Sequence, residues 1–258
     1  MPTRCSPRVD VFPSDRAVAK ALARRIADAV RDNPRLVLGL PTGRTPVALY
    51  HELVSLHDRG QLDFSRITTF NLDEFVGIPA SHPGSYRSFM EGHLFSRMNI
   101  DRARVNFLQG DAADLEAECA RYERAITDAG GIDLQVLGIG TNGHIGFNEP
   151  ARELQSRTHR VRLRPETRRS NAALFGGNVD VVPEEALSMG MATILQARSL
   201  VLLATGRSKA SCVERVVTGP LTTDLPASFL QLHRDVDVML DDAAAGKLGA
   251  GLYQRSAS

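Results

Sequence analysis

The 258-residue sequence has no tryptophan, only three cysteines and only three lysines, and all of its apolar runs are short. Cys5, Cys119 and Cys212 are far apart and lack C-x-x-C spacing, which argues against a disulfide framework and against a zinc site. The longest apolar runs, residues 36–40 and 200–204, are too short to span a bilayer, and the amino-terminal segment has no apolar signal region. We therefore expect a cytoplasmic protein with no membrane partner.

The sequence also lacks an excess of charge of either sign. Its 31 Lys and Arg residues balance 30 Asp and Glu residues, which leaves a formal net charge of +1. A protein with so little net charge has no overall field to hold nucleic acid, so no nucleic-acid partner is expected. The composition, 43% hydrophobic and 24% charged, is that of a globular protein, which excludes a disordered chain. An anionic ligand would have to be bound by a few local basic groups.

Short apolar segments alternate with amphipathic helical patterns along the chain. The apolar segments predict strands at 36–38, 67–70, 105–108, 134–137, 159–163, 200–204 and 236–240. Apolar residues three or four positions apart predict helices at 14–33, 45–54, 85–98, 115–129, 166–175, 185–197 and 208–217. This alternation predicts an α/β fold, a doubly wound and mostly parallel sheet with helices on both faces, similar to a Rossmann fold. Because we find no repeat or linker, we expect residues 1–258 to form a single domain.

Ligands of such sheets bind at the carboxyl ends of the strands, so the loops that follow strands carry the functional information. The loop after the strand at 36–38 reads Gly-Leu-Pro-Thr-Gly-Arg-Thr-Pro and then opens a helix, with Thr45 as the expected N-cap. Glycine admits a close ligand, while hydroxyls, helix amides and a guanidinium donate, which is typical of a phosphate cradle. The candidate phosphate-binding residues here are Pro41, Thr42, Gly43, Arg44 and Thr45. An ordinary strand-to-helix turn fits the same residue types, and the G-x-x-x-x-G-K-[ST] spacing of a P-loop is absent.

Two adjacent acids, Asp73 and Glu74, follow the strand at 67–70. A carboxylate at the end of a strand can act as a general base when burial keeps it ready to take a proton. The two side chains point to different sides, so at most one of them faces a site. A solvated strand end or a helix cap is the alternative explanation for these acids.

The densest loop spans residues 138–150 and reads Gly-Ile-Gly-Thr-Asn-Gly-His-Ile-Gly-Phe-Asn-Glu-Pro. It contains a formal G-x-G-x-x-G, but a dinucleotide site needs an apolar helix directly after the third glycine, and the residues here are polar and irregular. A rigid glycine loop that carries His144 and Glu149 is instead typical of acid-base groups presented to a small substrate.

Lys209 opens the helix that follows the strand predicted at 200–204. Its position indicates either an anion site or a solvated first-turn lysine.

These segments together resemble the glucosamine-6-phosphate deaminases. The resemblance rests on residues 38–46, on Phe70-Asn-Leu-Asp-Glu-Phe75, on the loop ending Gly-Phe-Asn-Glu-Pro150, on Ser156-Arg-Thr158, and on Val182-Pro183 with Ala186-Leu-Ser-Met-Gly190. It covers residues 35 to 240, nearly the whole chain. The family converts glucosamine 6-phosphate and water into fructose 6-phosphate and ammonia, in amino-sugar catabolism, without a metal or an organic cofactor. The resemblance therefore implies an amino-sugar phosphate as the small-molecule partner, and it leaves a homo-oligomer open.

The resemblance also implies a role for each candidate residue. Asp73 would move the proton between C2 and C1 of the sugar, His144 would open the sugar ring with support from Glu149, and Lys209 would hold the phosphate with the loop at 41–45. Many relatives have aspartate where this chain has Asn142, which can orient an imidazole but cannot stabilise its charge.

The phosphate site and the activator site of the family both show departures in this chain. An arginine that holds the phosphate in relatives is replaced by Ala173, and Arg44 or Arg169 would have to compensate for it. Allosteric relatives carry basic residues where this chain has His159 and Val161, which argues against an acetylated amino-sugar phosphate as activator.

Two other functions compete with the deaminase. A 6-phosphogluconolactonase has a similar fold and a comparable Gly-His loop, but its pattern lacks a glutamate at the position of Glu149. A non-catalytic sugar-phosphate sensor would need a helix-turn-helix segment, and the residues before the strand at 36–38 contain only one convincing helix. The retention of Asp73, His144 and Glu149 also favours an enzyme.

Overall fold

A parallel β-sheet organises the protein, and its strands are short and apolar. The computed structural model describes residues 7–256, so the expectations about Cys5 and about the segment before residue 7 lie outside the described residues. The strands are β1 (Arg8–Phe12), β2 (Val37–Leu40), β3 (Thr68–Asn71), β4 (Asp73–Phe75), β5 (Val105–Asn106), β6 (Leu134–Leu137), β7 (His159–Arg162), β8 (Glu185–Ser188), β9 (Ser199–Ala204), β10 (Val236–Asp241) and β11 (Gln254–Arg255). Eight of them form the main sheet in the order β11-β1-β10-β9-β6-β2-β3-β5, with all paired neighbours parallel.

Helices cover both faces of this sheet, which confirms the predicted α/β fold. They are α1 (Asp15–Asp32), α2 (Val47–Asp58), α3 (Tyr86–His93), α4 (Leu115–Asp128), α5 (Pro165–Asn171), α6 (Met191–Leu195) and α7 (Ala210–Thr218). The apolar residues of α1, α2 and α3 pack in one core on one face of the sheet, and those of α4, α6 and α7 pack in a second core on the opposite face. Ser14 caps α1 by accepting a hydrogen bond from the backbone N–H of Ala17. None of the helices in the described range is long and apolar enough to cross a membrane.

The winding of the chain reverses between β2 and β6. From β2 the sheet continues through β3 on one side, while β6 lies on the other side and leads to β9 and β10. The loops that leave the carboxyl ends of β2 and β6 therefore start side by side and diverge over opposite faces. Such a switch point is where open α/β sheets bind ligands. The loops at 41–46 and 138–150 both belong to this crevice.

A second, antiparallel sheet of three strands, in the order β4-β8-β7, corrects the sequence prediction at two places. The helix predicted over 185–197 is wrong, because β8 occupies its first four residues and only α6 is helical. The strand predicted at 159–163 exists as β7, but it pairs with β8 outside the main sheet. A short apolar run fits either secondary structure, and pairing with β4, more than 100 residues away in sequence, decides for the strand. In this pairing Asp73 lies opposite Ser188.

The loop after β5 is fixed tightly against β4. The carbonyl of Gly110 accepts a hydrogen bond from the Gly77 N–H at 2.8 Å. A Cβ atom on Gly110 would lie 1.8 Å from the carbonyl oxygen of Phe75, so only glycine fits beside this backbone. The backbone amide of Gln109 donates to Glu118 of α4 at 2.8 Å, which fixes the same loop from its other side. The segment 107–111 is thus fixed at two points, at Gly110 against β4 and at Gln109 against α4.

We expect Gly110→Ala to destabilise the fold by about 1–3 kcal/mol, because the new methyl group meets backbone atoms that cannot rotate away. Gly92→Ala is the matched control, since Gly92 lies within α3 and its Cβ would meet no atom within 4 Å. Alanine there should stabilise the helix by up to ~1 kcal/mol. Urea-induced unfolding measures both changes, and equal effects of the two substitutions would contradict the close packing at Gly110.

Candidate active site

The loop after β6 presents His144 through a chain of polar contacts. The Nδ1 atom of His144 lies 2.8 Å from the Oδ1 atom of Asn142, and the Asn142 amide nitrogen donates to the Oε2 atom of Glu149 at 3.4 Å. Because a carboxylate only accepts hydrogen bonds, this contact orients the amide and turns its carbonyl oxygen toward the imidazole. The imidazole must then carry its proton on Nδ1, which leaves Nε2 as the acceptor. The structure thus brings the three predicted residues of this loop into one relay.

Burial keeps the imidazole of His144 neutral. Burial lowers the pKa of His144, the negative charge of Glu149 raises it, and the positive charge of Lys209 lowers it again, with a net decrease from the ordinary value. Glycine at position 140 makes room for the ring, because a Cβ atom there would lie 2.2 Å from the Cε1 atom of His144. At neutral pH the site therefore offers a neutral imidazole that can accept a proton.

Helix α5 and the residue before it contact Glu149, the last member of the relay. The sequence did not reveal these contacts. The hydroxyl of Thr167 donates to the Oε1 atom of Glu149, and the Arg164 guanidinium lies 3.5 Å from its Oε2 atom. Glu149 is only 8% exposed, so these contacts compensate its buried charge. No local pattern marks Thr167 as a partner of a residue 18 positions earlier; only the folded chain brings them together.

Asp73 lies on the other side of the same crevice, at the first position of β4. A Cβ atom on Gly146 would lie 3.5 Å from its Oδ2 atom, so the carboxyl group packs against the backbone of the histidine loop. The hydroxyl of Thr42 donates to its Oδ1 atom at 3.4 Å. Burial raises the pKa of Asp73 to about 8, the charge of Glu74 adds to the increase, and the bond from Thr42 opposes it. Asp73 is therefore a carboxyl group that takes up and releases a proton near neutral pH.

Glu74 points away from the crevice, as strand alternation requires. Its carboxylate accepts the backbone N–H groups of Tyr86 and Arg87 at 2.9 Å each and that of Phe75 at 2.8 Å. It therefore satisfies the amino-terminal amides of α3. Burial raises the pKa of Glu74 to about 7, and these amide bonds together with the Arg87 charge oppose the increase.

Tyr86 is a second group that the sequence did not reveal. Its ring stacks on Phe147 of the histidine loop, with centroids 5.8 Å apart and planes 11° apart, and lies 4.7 Å from the ring of Phe75. Its hydroxyl donates to the Oδ1 atom of Asn171 in α5 at 2.9 Å. Burial and the charge of Asp73 raise the pKa of Tyr86, so the phenol stays protonated. Tyr86 thus joins β4, the histidine loop and α5 in one packed unit.

The predicted phosphate cradle follows β2 and faces the same crevice. Pro41 is buried and its carbonyl accepts the hydroxyl of Tyr50, while Gly43 adopts a φ of +104° with open space around its Cα atom. The prediction that Thr45 caps the next helix is wrong: α2 begins at Val47, and no side chain caps it. The amides at the start of α2 are therefore left without a side-chain acceptor.

Two cations stand at this end of the crevice. The Nζ atom of Lys209 donates to the carbonyl of Ile139 at 2.7 Å, which places the lysine against the histidine loop. Burial lowers the pKa of Lys209, the nearby Cys212 raises it, and the positive charge of Arg44 lowers it. The exposed Arg44 therefore lies near enough to repel the ammonium group of Lys209. Arg169, in contrast, is 59% exposed and pairs with Glu166 on its own helix at 2.8 Å.

The structure thus brings predicted residues from several segments together at the switch point. Thr42 contacts Asp73, Asn142 contacts both His144 and Glu149, and Lys209 contacts the histidine loop. Among residues 7–256, no group of three or more His, Cys, Asp or Glu side chains is arranged to hold a metal ion. Cys119 and Cys212 are buried free thiols.

Known proteins resemble this chain over nearly its full length. Glucosamine-6-phosphate deaminase 2 of Bacillus subtilis (strain 168) is 48% identical over 237 residues, which are 92% of this chain and 95% of that protein. Glucosamine-6-phosphate deaminase of Halothermothrix orenii is 46% identical over 241 residues, which are 93% of this chain and 100% of that protein.

Solved structures of a glucosamine-6-phosphate deaminase and of a 6-phosphogluconolactonase also superpose on this chain. A monomeric glucosamine-6-phosphate deaminase superposes with a TM-score of 0.89 at 42% identity and covers 93% of this chain and 99% of that one. The 6-phosphogluconolactonase from Trypanosoma cruzi superposes with a TM-score of 0.74 at 20% identity, over 96% of this chain and 99% of that one, which shows the shared fold alone. The model of the family described as glucosamine-6-phosphate isomerases/6-phosphogluconolactonase matches residues 14–239. The chain therefore belongs to the glucosamine-6-phosphate isomerase/6-phosphogluconolactonase family.

Proposed function

We propose that this protein is a glucosamine-6-phosphate deaminase, which converts glucosamine 6-phosphate and water into fructose 6-phosphate and ammonia. The observation that carries the proposal is the pairing of two different proton-transfer groups in one crevice. Asp73 is a buried carboxyl group with a pKa of about 8, and His144 is a neutral imidazole oriented by Asn142 and Glu149. Aldose-ketose isomerisation needs one group to open the ring and another to move a proton between carbons.

His144 is placed to begin the reaction. Its Nε2 atom accepts the proton of the sugar's C1 hydroxyl and returns it to the ring oxygen as the C1–O5 bond breaks. The imidazolium that forms is stabilised through Asn142 by the charge of Glu149, because the amide itself carries none. The product of this step is an open-chain aldehyde that keeps its amino group on C2.

Asp73 performs the second step. Its carboxylate takes the proton from C2 while the aldehyde oxygen takes one from the protonated amino group on C2, which gives an enolamine. Asp73 then returns its proton to C1. The amino group is then an imine at C2; addition of water and loss of ammonia leave the ketone of fructose 6-phosphate. Burial raises the proton affinity of Asp73, as abstraction of a weakly acidic C–H proton requires.

The cradle at residues 41–45, Arg44 and Lys209 hold the phosphate. The amides at the start of α2, which have no side-chain acceptor, and two nearby cations supply the donors that a phosphate dianion needs. Arg44 compensates for the arginine that relatives have at the position of Ala173, because Arg44 belongs to the cradle whereas Arg169 is paired on the protein surface.

The rival lactonase activity is less well supported. Hydrolysis of a lactone requires activation of water but no transfer of a proton between carbon atoms, so it leaves the buried Asp73 without a task. The relatives at 46–48% identity named above are deaminases, whereas the lactonase structure is 20% identical.

Ammonia release from glucosamine 6-phosphate by the purified protein tests the proposal. We expect Asp73→Asn to lower kcat by roughly 10²- to 10⁴-fold, because a general base contributes on that scale. KM should change little, since the phosphate contacts remain. Asp111→Asn, which alters an exposed acid, serves as the control. Absence of ammonia from the unmodified protein would refute the function, and full activity of Asp73→Asn would refute the role of Asp73.

The pH dependence gives a second test. Asp73 must be ionised to accept a proton, so kcat/KM should rise with pH through about 8, well above the usual range of a carboxyl group. The charge of Glu74 raises the pKa of Asp73, so in Glu74→Gln the rise of kcat/KM should occur at lower pH. Thermal unfolding must accompany the measurement, since Glu74 also holds α3. If kcat/KM of a folded Glu74→Gln protein rises at the same pH as in the unmodified protein, the charge of Glu74 does not influence the pKa of Asp73.

The phosphate contacts give a third test. A charge-assisted hydrogen bond contributes ~1.5–3 kcal/mol, so Arg44→Ala should raise the apparent Kd for the phosphorylated sugar by roughly ten- to a hundredfold. Arg169→Ala should change it much less, because that guanidinium pairs with Glu166 on the surface. Equilibrium binding of fructose 6-phosphate measures both. The opposite ranking would assign the compensating role to helix α5.

A further inference from the structure

A second cavity lies behind the active site, on the other side of strand β4. It is partly open to solvent, has a volume of about 320 Å³, and is lined by the middle of β4, by Ala80, by the start of α3, by the middle of α4 and by the segment 105–111. Asp73 faces the active-site crevice, whereas the next residue, Glu74, lines this cavity. The two spaces are therefore distinct and share one strand as their wall.

The cavity offers two guanidinium groups. Arg87 approaches from α3 and Arg121 from α4. Each pairs through its Nε and Nη2 atoms with a glutamate of its own helix, Glu91 or Glu118. Within residues 7–256, the Nη1 group of each arginine makes no hydrogen bond. Two charged donor groups thus remain for a ligand.

Two acids line this wall, Glu74 and Asp111, and neither pairs with those donors. Asp111 is exposed to solvent and forms no salt bridge with Arg87 or Arg121. The carboxylate of Glu74 already accepts three backbone amides. The remaining wall is polar and apolar in about equal parts: Val105, Phe107 and Leu108 are apolar, whereas Asn106 and Gln109 are polar. The guanidinium of Arg87 stacks over the Phe107 ring at 5.2 Å. The lining therefore combines two guanidinium groups with both polar and apolar surface, which matches a small organic anion with a short carbon body.

The cavity is also preformed. Its rim is held at Gly110, which packs against β4 and accepts a hydrogen bond from Gly77, and at Gln109, which donates to Glu118. The salt bridge from Arg121 to Glu118 fixes one guanidinium in place before any ligand arrives. Little ordering is then needed on binding, which favours affinity for a small ligand.

We propose that this cavity is a binding site for a small organic anion, whose carboxylate or phosphate group lies between Arg87 and Arg121 and whose carbon body packs on Phe107 and Leu108. This site is separate from the phosphate cradle of the active site, and its occupation does not depend on the reaction that the active site performs.

Titration calorimetry with glycerol 3-phosphate and with succinate tests the proposal and distinguishes the two head groups. All proteins carry Lys209→Ala, which removes the lysine of the cradle. Arg87→Gln should weaken binding roughly tenfold or more, because a charge-assisted pair is lost. Arg102→Gln is the matched control: Arg102 also pairs with Glu91 but does not line the cavity, so it should change binding by less than about twofold.

A second variant removes the space and leaves the charges in place. Ala80 is exposed at the edge of the cavity, so Ala80→Phe should fill the cavity without disturbing the core. It should abolish binding of whichever of the two probes the cavity takes up. Hydrogen exchange should show protection of residues 105–111 by that probe in the Lys209→Ala protein. Absence of saturable binding of both probes, equal effects of Arg87→Gln and Arg102→Gln, unchanged binding in Ala80→Phe, or protection confined to the 41–45 loop would each overturn the proposal.

Discussion

The burial of two adjacent carboxyl groups, Asp73 and Glu74, is the constraint on which this molecule depends. An isolated buried charge is very costly, so each group must be compensated, and strand alternation forces the two to be compensated on opposite sides. Glu74 receives three backbone amides and thereby fixes the start of α3. Within residues 7–256, Asp73 accepts a single long hydrogen bond, from Thr42, and its proton affinity stays elevated. One acid is satisfied as a structural group, and the other remains reactive.

The chain could be interpreted from its sequence wherever the relevant pattern is local. The loops at 41–46 and 138–150 follow buried strands directly, and the rule that ligands bind at the ends of parallel strands singles out both. The structure shows that the two loops leave neighbouring strands, β2 and β6. The second sheet could not be predicted in this way. Strand β8 exists because it pairs with β4 and β7, and its short apolar run is equally compatible with the helix that periodicity favoured. Thr167 and Tyr86 were missed for the same reason, since their partners lie far away in sequence.

Asparagine at position 142 changes how the histidine relay is stabilised without changing its geometry. An aspartate there would place a charge directly against the imidazole, whereas the amide only transmits an orientation. The charge that balances an imidazolium must come from Glu149, one step further away, and Arg164 and Thr167 already draw on that carboxylate. The relay of this chain therefore relies on the environment of Glu149 more strongly than an all-carboxylate relay does.

Helix α5 connects the two halves of the site although it is only seven residues long. Thr167 holds Glu149 on the histidine side, and Asn171, one helical turn later, holds Tyr86 on the side of Asp73. The helix thus links the surroundings of His144 and of Asp73, the two groups that we propose transfer protons. A change that moves this helix would therefore disturb the surroundings of Glu149 and of Tyr86 together, because both hydrogen bonds come from the same seven residues.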